Sequence, residues 1–177
     1  MCEEYHFNNM KLAIAFKLDY GILLLIDLWS GGVIMTKKYL LAVDGSKNSQ
    51  RAAEFMLNLL RESSRLEVTL VYVVNVRKEL LTYSPLADIR DIEGLIAEKG
   101  REILDDQEII FKNEGFTVNK VMLEGDAGYK IAEYAREGGF SQIVLGTRGL
   151  SDFKGLVMGS VSHKVVHFAH CPVTLVK

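Results

Sequence analysis

Residues 142–160 read QIVLGTRGLSDFKGLVMGS, an apolar segment followed by a loop with the glycine pattern G-x2-G-x9-G and then a serine. The segment 142–145 is short, apolar and bounded by a turn signal, as expected of a buried strand. Ser160 opens a stretch in which valines at 161, 165 and 166 recur at helical spacing. The pattern predicts a strand, a loop and a helix in that order.

The same alternation continues on both sides of this loop. Apolar runs predict further strands at 39–43, 66–76, 118–123 and 173–176. The run at 68–74, VTLVYVV, lacks the polar alternation of a half-exposed strand, which indicates burial on both faces. Strands that alternate with helices favour a mostly parallel sheet with right-handed crossovers and helices on both faces. We therefore predict a single open, doubly wound α/β sheet.

Helices are predicted between these strands from apolar stripes at helical spacing. The first has one apolar face made of Ala52, Met56, Leu59 and Leu60. The second covers about 86–113, ends at Gly115, and has a stripe of Ile89, Ile92, Ile96, Ile103, Ile110 and Phe111. The third follows Gly125 and Asp126, ends at Gly138 and Gly139, and turns Ile131, Ala132 and Ala135 inward. The fourth runs from Ser160 to about Ala169, and residues 77–85 are predicted to be a loop.

The first 34 residues differ from the rest of the chain. Their apolar run at 21–26, GILLLI, is bracketed by Asp19 and Asp27 and falls far short of the roughly 20 residues that span a bilayer. Glu3 and Glu4 argue against a secretory signal. We expect an appended extension without a fold of its own over 1–34 and one domain over 35–177. The alternative is a helix or strand in 1–34 that docks on the domain or on a partner.

Overall charge and cysteine content narrow the function. The formal net charge is −2, which does not suit a protein that binds nucleic acid through general basicity. Cys2 and Cys171 are the two cysteines, and they form neither a disulfide framework nor a zinc motif. Two isolated thiols fit a reducing cytosol, so we expect a cytoplasmic protein that binds neither nucleic acid nor membrane.

The glycine loop has the features of an anion site. In open α/β sheets, ligands bind beyond the carboxyl ends of the strands, where the strand order reverses. There Gly146 lets the backbone approach a ligand, Gly149 permits a chain reversal, and Gly159-Ser160 opens a helix whose free N–H groups attract anions. The loop is neither a Walker motif nor the G-x-G-x-x-G of dinucleotide folds. The alternative is that the glycines only make turns and that Ser160 is an ordinary helix cap.

With its surroundings, this loop resembles a known family. Residues 146–165, GTRGLSDFKGLVMGSVSHKV, together with LAVDGS at 41–46 and CPV at 171–173, resemble the ATP-binding universal stress proteins. The resemblance covers about 35–177. It implies a five-stranded parallel sheet of the adenine nucleotide alpha hydrolase-like, Rossmann-like kind and a homodimer formed through the last strand. It also implies bound ATP, together with Mg²⁺ or Mn²⁺.

The resemblance also assigns nucleotide contacts to individual residues. Phosphate contacts fall on Gly149, Gly159, Ser160 and Val161, and the nucleotide-binding set extends to Ser162. Ribose contacts fall on Asp44 and Gly146. Adenine is held by the backbone at Val73, with Ala42 and Val43 nearby. One departure is Ala127 after Gly125-Asp126, where family members often have proline.

Other residues leave several readings open. His163 and His167 have metal-ligand spacing on a helix, but no carboxylate in that helix completes a site, and we expect no metal there. Arg148 and Lys154 either neutralise phosphates or are solvated loop charges. We expect an ATP-dependent switch that acts on an unknown protein partner and assign no catalytic residue. The alternatives are a slow ATPase or phosphotransfer enzyme, and a dimeric interaction protein with a vestigial pocket.

Overall fold

The computed structural model describes the backbone of residues 3–5, 13–17, 23–27, 32–63, 65–76, 89–150 and 158–177. It describes side chains over 36–63, 65–76, 92–150 and 158–177. The predicted loop 77–85, the start of the predicted helix at 86, and Lys154 lie outside these residues. None of the described helices is long and apolar enough to cross a membrane.

A four-stranded antiparallel sheet occupies the start of the chain. Its strands are hydrogen-bonded in chain order, with Leu25 opposite both Ala15 and Ile34. They are β1 (Glu3–Tyr5), β2 (Ala13–Lys17), β3 (Leu23–Asp27) and β4 (Gly32–Met35). We expected residues 1–34 to lack a fold of their own, and the structure differs from this expectation. Strand β3, which contains most of the apolar run, pairs with a strand on each side, so its backbone N–H and C=O groups find partners within the sheet. The division of the chain at residue 35 stays a prediction.

A second sheet contains five parallel strands in the order β7-β6-β5-β8-β9. The strands are β5 (Lys37–Ala42), β6 (Leu66–Val74), β7 (Asn119–Glu124), β8 (Gln142–Gly146) and β9 (Val173–Val176). The helices between them are α1 (Lys47–Glu62), α2 (Ile89–Lys112), α3 (Ala127–Glu137) and α4 (Ser160–Phe168). This arrangement confirms the predicted doubly wound, five-stranded parallel α/β fold.

The central strand β5 is buried on both faces, which explains its continuous apolar run. Leu41 packs into a core with side chains of α1 and α2, including Met56 and Phe111. Leu40 packs on the opposite face with Ile131 of α3 and Val165 of α4. Because side chains alternate along a strand, neighbouring leucines serve opposite faces and helices must cover both.

The helix faces largely follow the predicted stripes. Ile131, Ala132 and Ala135 of α3 are buried, as are Ile92, Ile96 and Phe111 of α2. Gly115 and Gly139 follow their helices with positive φ values of 79° and 64°, which only glycine adopts readily. Of the three valines that predicted α4, Val165 is fully buried whereas Val161 and Val166 are exposed. The helix α4 therefore covers the sheet with a narrow face.

The order of the strands reverses between β5 and β8. The chain first extends the sheet from β5 towards β7, and then crosses to the other side of β5, where Ala42 pairs with Leu145. The loops after β5 and β8 thus lead away from the sheet in opposite directions and leave a crevice between them. Because β5 and β8 are neighbours, Asp44 and Gly146, to which the resemblance assigns ribose contacts, share this crevice.

Candidate functional site

A cavity of about 480 Å³ opens at the carboxyl ends of β5, β6 and β8. It lies at the reversal of strand order, where ligands of open α/β sheets bind. All ten residues that the sequence predicted for a nucleotide site line it: Ala42, Val43, Asp44, Val73, Gly146, Gly149, Gly159, Ser160, Val161 and Ser162. The structure therefore brings the predicted set together, and the ligand contact of each residue stays a prediction.

The amino end of α4 forms one wall of this cavity. Gly159 is the helix cap residue and no side chain caps the helix, while the first hydrogen bond within the helix runs from the N–H of His163 to the carbonyl of Gly159 at 2.9 Å. The amides of Ser160, Val161 and Ser162 therefore have no carbonyl one turn earlier in the helix. Together with the positive end of the helix dipole, they make this wall suited to an anion.

Two hydrogen bonds involve Thr147 and Gly159, the residues at the two ends of the glycine loop. The N–H of Gly159 donates to the carbonyl of Thr147 at 2.8 Å, and the N–H of Thr147 donates to the carbonyl of Val176 at 2.8 Å. The two ends of the glycine loop are thus joined to each other and to β9. Since the amide of Gly159 is already engaged, Gly159 contributes to an anion site by its position and not as a donor.

Ser162 links α4 to the end of β8. Its side chain is buried, and its hydroxyl donates to the carbonyl of Gly146 at 2.9 Å. This hydroxyl is therefore occupied within the protein. The backbone N–H of Ser162 is therefore the group that remains available to a ligand.

Replacing Ser162 with alanine is expected to lower the free energy of unfolding by about 1 kcal/mol, because the carbonyl of Gly146 loses its donor. Urea denaturation measures the difference. Ser141→Ala, a change at an exposed position, is the control and is expected to stay within about 0.5 kcal/mol of the wild type. Equal stability of the two variants would contradict the assigned role of the Ser162 hydroxyl.

Asp44 lines the same cavity as the amino end of α4 and is held by a local turn. One carboxylate oxygen, Oδ1, accepts from the N–H of Ser46 at 3.0 Å, and the N–H of Asp44 donates to the hydroxyl of Ser49 at 3.3 Å. The other oxygen, Oδ2, lies where a side chain at Gly149 would begin. A side chain at position 149 would therefore displace the carboxylate of Asp44. The expected reason for glycine there, a backbone reversal, is wrong, because Gly149 is not among the described glycines with positive φ.

Gly146 allows close packing of α1 against the loop. A Cβ at position 146 would lie 2.7 Å from the Cβ of Asn48 and 3.0 Å from its backbone carbonyl carbon. The side-chain amide of Asn48 also donates to the carbonyl of Arg148 at 3.3 Å. We expected glycine at position 146 to let a ligand approach the backbone. In the structure, the space that a side chain would fill here is occupied by α1, which packs against the loop.

The cavity also contains an ion pair that the sequence did not predict. Lys164 Nζ lies 2.6 Å from Asp126 Oδ2, while Asp126 Oδ1 accepts from the N–H of Tyr129 at 3.3 Å and so caps α3. The ammonium of Lys164 holds the pKa of the Asp126 carboxyl below its usual value, and Asp126 raises the pKa of Lys164 in return. Both groups are charged at neutral pH. Gly125-Asp126 was visible as a helix start, but nothing in the sequence links it to a lysine 38 positions away.

Apolar side chains form the remaining wall of the cavity. Val71, Ile131 and Leu145 line it, although none of them was predicted as a site residue. They belong to the strand ends and to the inner face of α3, so their apolar character indicated only a core role. Asn75, Arg148 and Leu150 also reach the cavity. Together these residues give it one apolar side and one polar side.

His163, His167 and Cys171 are not among the residues that line this cavity. His163 and His167 are exposed, and the described residues contain no group of three or more His, Cys, Asp or Glu side chains that could hold a metal ion. Burial raises the pKa of the Cys171 thiol, and Cys171 packs against the core that contains Leu40. These surroundings support a packing role for Cys171.

Comparison with known proteins identifies the family. The sequence model of the universal stress protein family matches residues 35–177. This chain belongs to the universal stress protein family. Among its relatives, universal stress protein YxiE of Bacillus subtilis is 32% identical over 149 residues, which are 81% of this chain and 100% of the relative. Universal stress protein MJ0531 of Methanocaldococcus jannaschii is 32% identical over 173 residues, with 94% and 96% of the two chains covered.

Solved structures of universal stress proteins share the fold. The protein MJ0577 of M. jannaschii superposes with a TM-score of 0.70 at 22% identity, covering 80% of this chain and 96% of that one. Two further neighbours were solved with a nucleotide. The universal stress protein of Archaeoglobus fulgidus in complex with dAMP has a TM-score of 0.58 at 22% identity, covering 81% of this chain and 99% of that one. The Arabidopsis thaliana family protein with AMP bound has 0.59 at 22%, with 80% and 91% covered.

Proposed function

We propose that this universal stress protein binds an adenine nucleotide in the cavity at the ends of β5, β6 and β8, with ATP as the main ligand. The observation that carries the proposal is that the uncapped amino end of α4 and the carboxylate of Asp44 line the same cavity. Amides that favour an anion and a carboxylate that suits hydroxyl groups therefore meet in one crevice. A phosphorylated nucleoside has both kinds of group.

The cavity lining supports one orientation of the nucleotide. The phosphates would meet the amides of Ser160, Val161 and Ser162, and the ribose would lie against Asp44. The base would then rest on the apolar side, near Val71 and Val73 at the end of β6. The related proteins solved with AMP and dAMP support an adenine nucleotide over other phosphorylated ligands.

A switch suits this cavity better than an enzyme. Its described lining contains no histidine, and of its two carboxylates Asp126 is paired with Lys164 while Asp44 is placed against the ribose. A hydrolase needs a group that orients or activates water, and the chain has no Walker lysine. We propose that bound ATP orders the glycine loop and changes the contacts of a cytoplasmic protein with its partner.

A divalent ion would enter with the phosphates. The described residues offer no cluster of three carboxylate, histidine or cysteine ligands, and the carboxylate of Asp44 lies beside Gly149. Magnesium and manganese bind phosphate oxygens and water readily and need few protein ligands. The residues therefore fit an ion that is held chiefly by ATP, with Asp44 as the protein group within its surroundings.

We also propose a homodimer formed through β9. Within the described sheet, β9 pairs with β8 alone and stands at the end of the strand order. All four of its residues are only partly buried. A free strand edge offers unpaired backbone groups to a second strand, and an antiparallel pairing of two β9 strands would cover both edges.

The nucleotide that copurifies with the protein tests the proposed function. We expect denaturation of the purified protein to release ATP that chromatography identifies, and we expect this ATP to persist over hours of incubation. Rapid conversion to ADP would favour the slow ATPase instead. If no nucleotide is released and added ATP does not shift the melting temperature, the cavity does not bind ATP and the proposal fails.

A further inference from the structure

The ion pair of Asp126 and Lys164 joins two helices that flank the cavity. Asp126 is the cap residue at the amino end of α3, and Lys164 lies in the second turn of α4. Both residues line the cavity, and their charged atoms are 2.6 Å apart. The pair therefore spans the gap between α3 and α4 beside the space that a nucleotide would occupy.

Lys164 is positioned by more than its charge. The Cβ that Gly128 lacks would lie 2.9 Å from Cδ of Lys164, so the absence of a side chain on α3 makes room for the lysine stem. The ammonium also lies 5.2 Å from the centre of the Tyr129 ring, within the range of a cation–π interaction. The ion pair with Asp126, the packing on Gly128 and the ring of Tyr129 thus hold Lys164 across the gap.

The exposure of this ion pair limits its contribution to the fold. The two side chains are 38% and 43% exposed, and ion pairs in such surroundings add little to the stability of a protein. The larger consequence is local, because the pair joins α3 to α4 at the cavity wall, beside the space that a nucleotide would occupy.

We propose that Asp126 and Lys164 form a clasp that slows the release of a bound adenine nucleotide. This inference rests on the function proposed above. The clasp differs in a measurable way from a simple effect of charge. Loss of the Asp126 charge makes the cavity more positive and loss of the Lys164 charge makes it more negative, so electrostatics alone would change phosphate binding in opposite directions. A clasp, in contrast, is opened by the loss of either charge, so both variants are expected to release the nucleotide faster.

Four variants and one control test the clasp. Asp126→Asn removes the charge and keeps a good helix cap, Lys164→Met removes the other charge, and the double variant removes both. Lys164→Arg restores a cation. The control is Glu133→Gln, which breaks the 2.7 Å ion pair of Lys130 and Glu133, a pair of similar exposure outside the cavity lining. The measurement is release of ATP labelled at its α phosphate after addition of excess unlabelled ATP.

The expected result is release about fivefold faster in Asp126→Asn and in Lys164→Met. The double variant should release ATP no faster than either single variant, because the same interaction is lost once. Glu133→Gln and Lys164→Arg should stay close to the wild type, and all melting temperatures should remain similar. Wild-type rates in the single variants, opposite effects in the two, or additive effects in the double variant would each overturn the clasp. A wild type that retains no ATP would overturn the proposed function, and the clasp with it.

Discussion

Replacement of Asp44 with asparagine is expected to weaken ATP binding roughly tenfold to a hundredfold, the cost of losing a hydrogen bond to a charged acceptor. The reason is that the carboxylate of Asp44 lines the cavity where the ribose of the proposed nucleotide would lie. An asparagine still accepts from the N–H of Ser46, so the turn that holds the residue is expected to remain. Isothermal titration with ATP measures the change.

Two controls separate the ribose contact from a general loss of charge. Asp106→Asn removes an exposed carboxylate of α2 and is expected to leave ATP affinity unchanged. Titration with 2′-deoxy-ATP tests the contact itself: if Asp44 binds the 2′-hydroxyl, the variant should discriminate between the two nucleotides less than the wild type does. Unchanged ATP affinity in Asp44→Asn would mean that the ribose lies elsewhere.

Replacement of Leu41 with alanine is expected to lower the free energy of unfolding by about 2–5 kcal/mol, as for other large-to-small changes in a core. Leu41 is fully buried on the central strand β5, where it packs against α1 and α2 side chains such as Met56 and Phe111. Loss of its side chain leaves a cavity that well-packed neighbours can fill only in part. Denaturant titration measures the effect.

Leu95→Ala is the matched control for this change. Leu95 lies on α2 and is 53% exposed, so the same truncation removes few contacts there and is expected to cost within about 0.5 kcal/mol. A loss in Leu41→Ala no larger than in Leu95→Ala would contradict the packing described for β5. ATP affinity is a second quantity to measure in Leu41→Ala, because β5 leads directly into Asp44.

The sequence was sufficient to predict the architecture of the parallel sheet. Continuous apolar runs such as 68–74 indicated strands buried on both faces, and helices between them required parallel pairing. It could not predict the antiparallel strands of residues 1–34, because strands of three to five residues are too short to show a clear periodicity. The predicted strands of the parallel sheet differ from the structure by at most two residues at either end, and 173–176 matches, since assignments at the ends of elements vary by one or two residues.

The glycine loop could be located from the sequence, but not the reasons for its glycines. The sequence suggested that Gly146 admits a ligand and that Gly149 reverses the chain. In the structure these positions accommodate Asn48 of α1 and the carboxylate of Asp44. Both neighbours are about 100 residues away along the chain, so no local pattern could reveal them.

The sequence by itself determined the alternation of strands and helices, the apolar faces that they bury, and the start of a helix directly after Gly159. These features depend on the spacing of residues within one segment, which fixes the face on which each side chain lies. The tertiary structure alone decided that Asp44 and the amino end of α4 line one cavity and that Asp126 meets Lys164. Those contacts depend on the order of strands in the sheet, because that order determines which loops share one edge and which helix ends converge on the cavity.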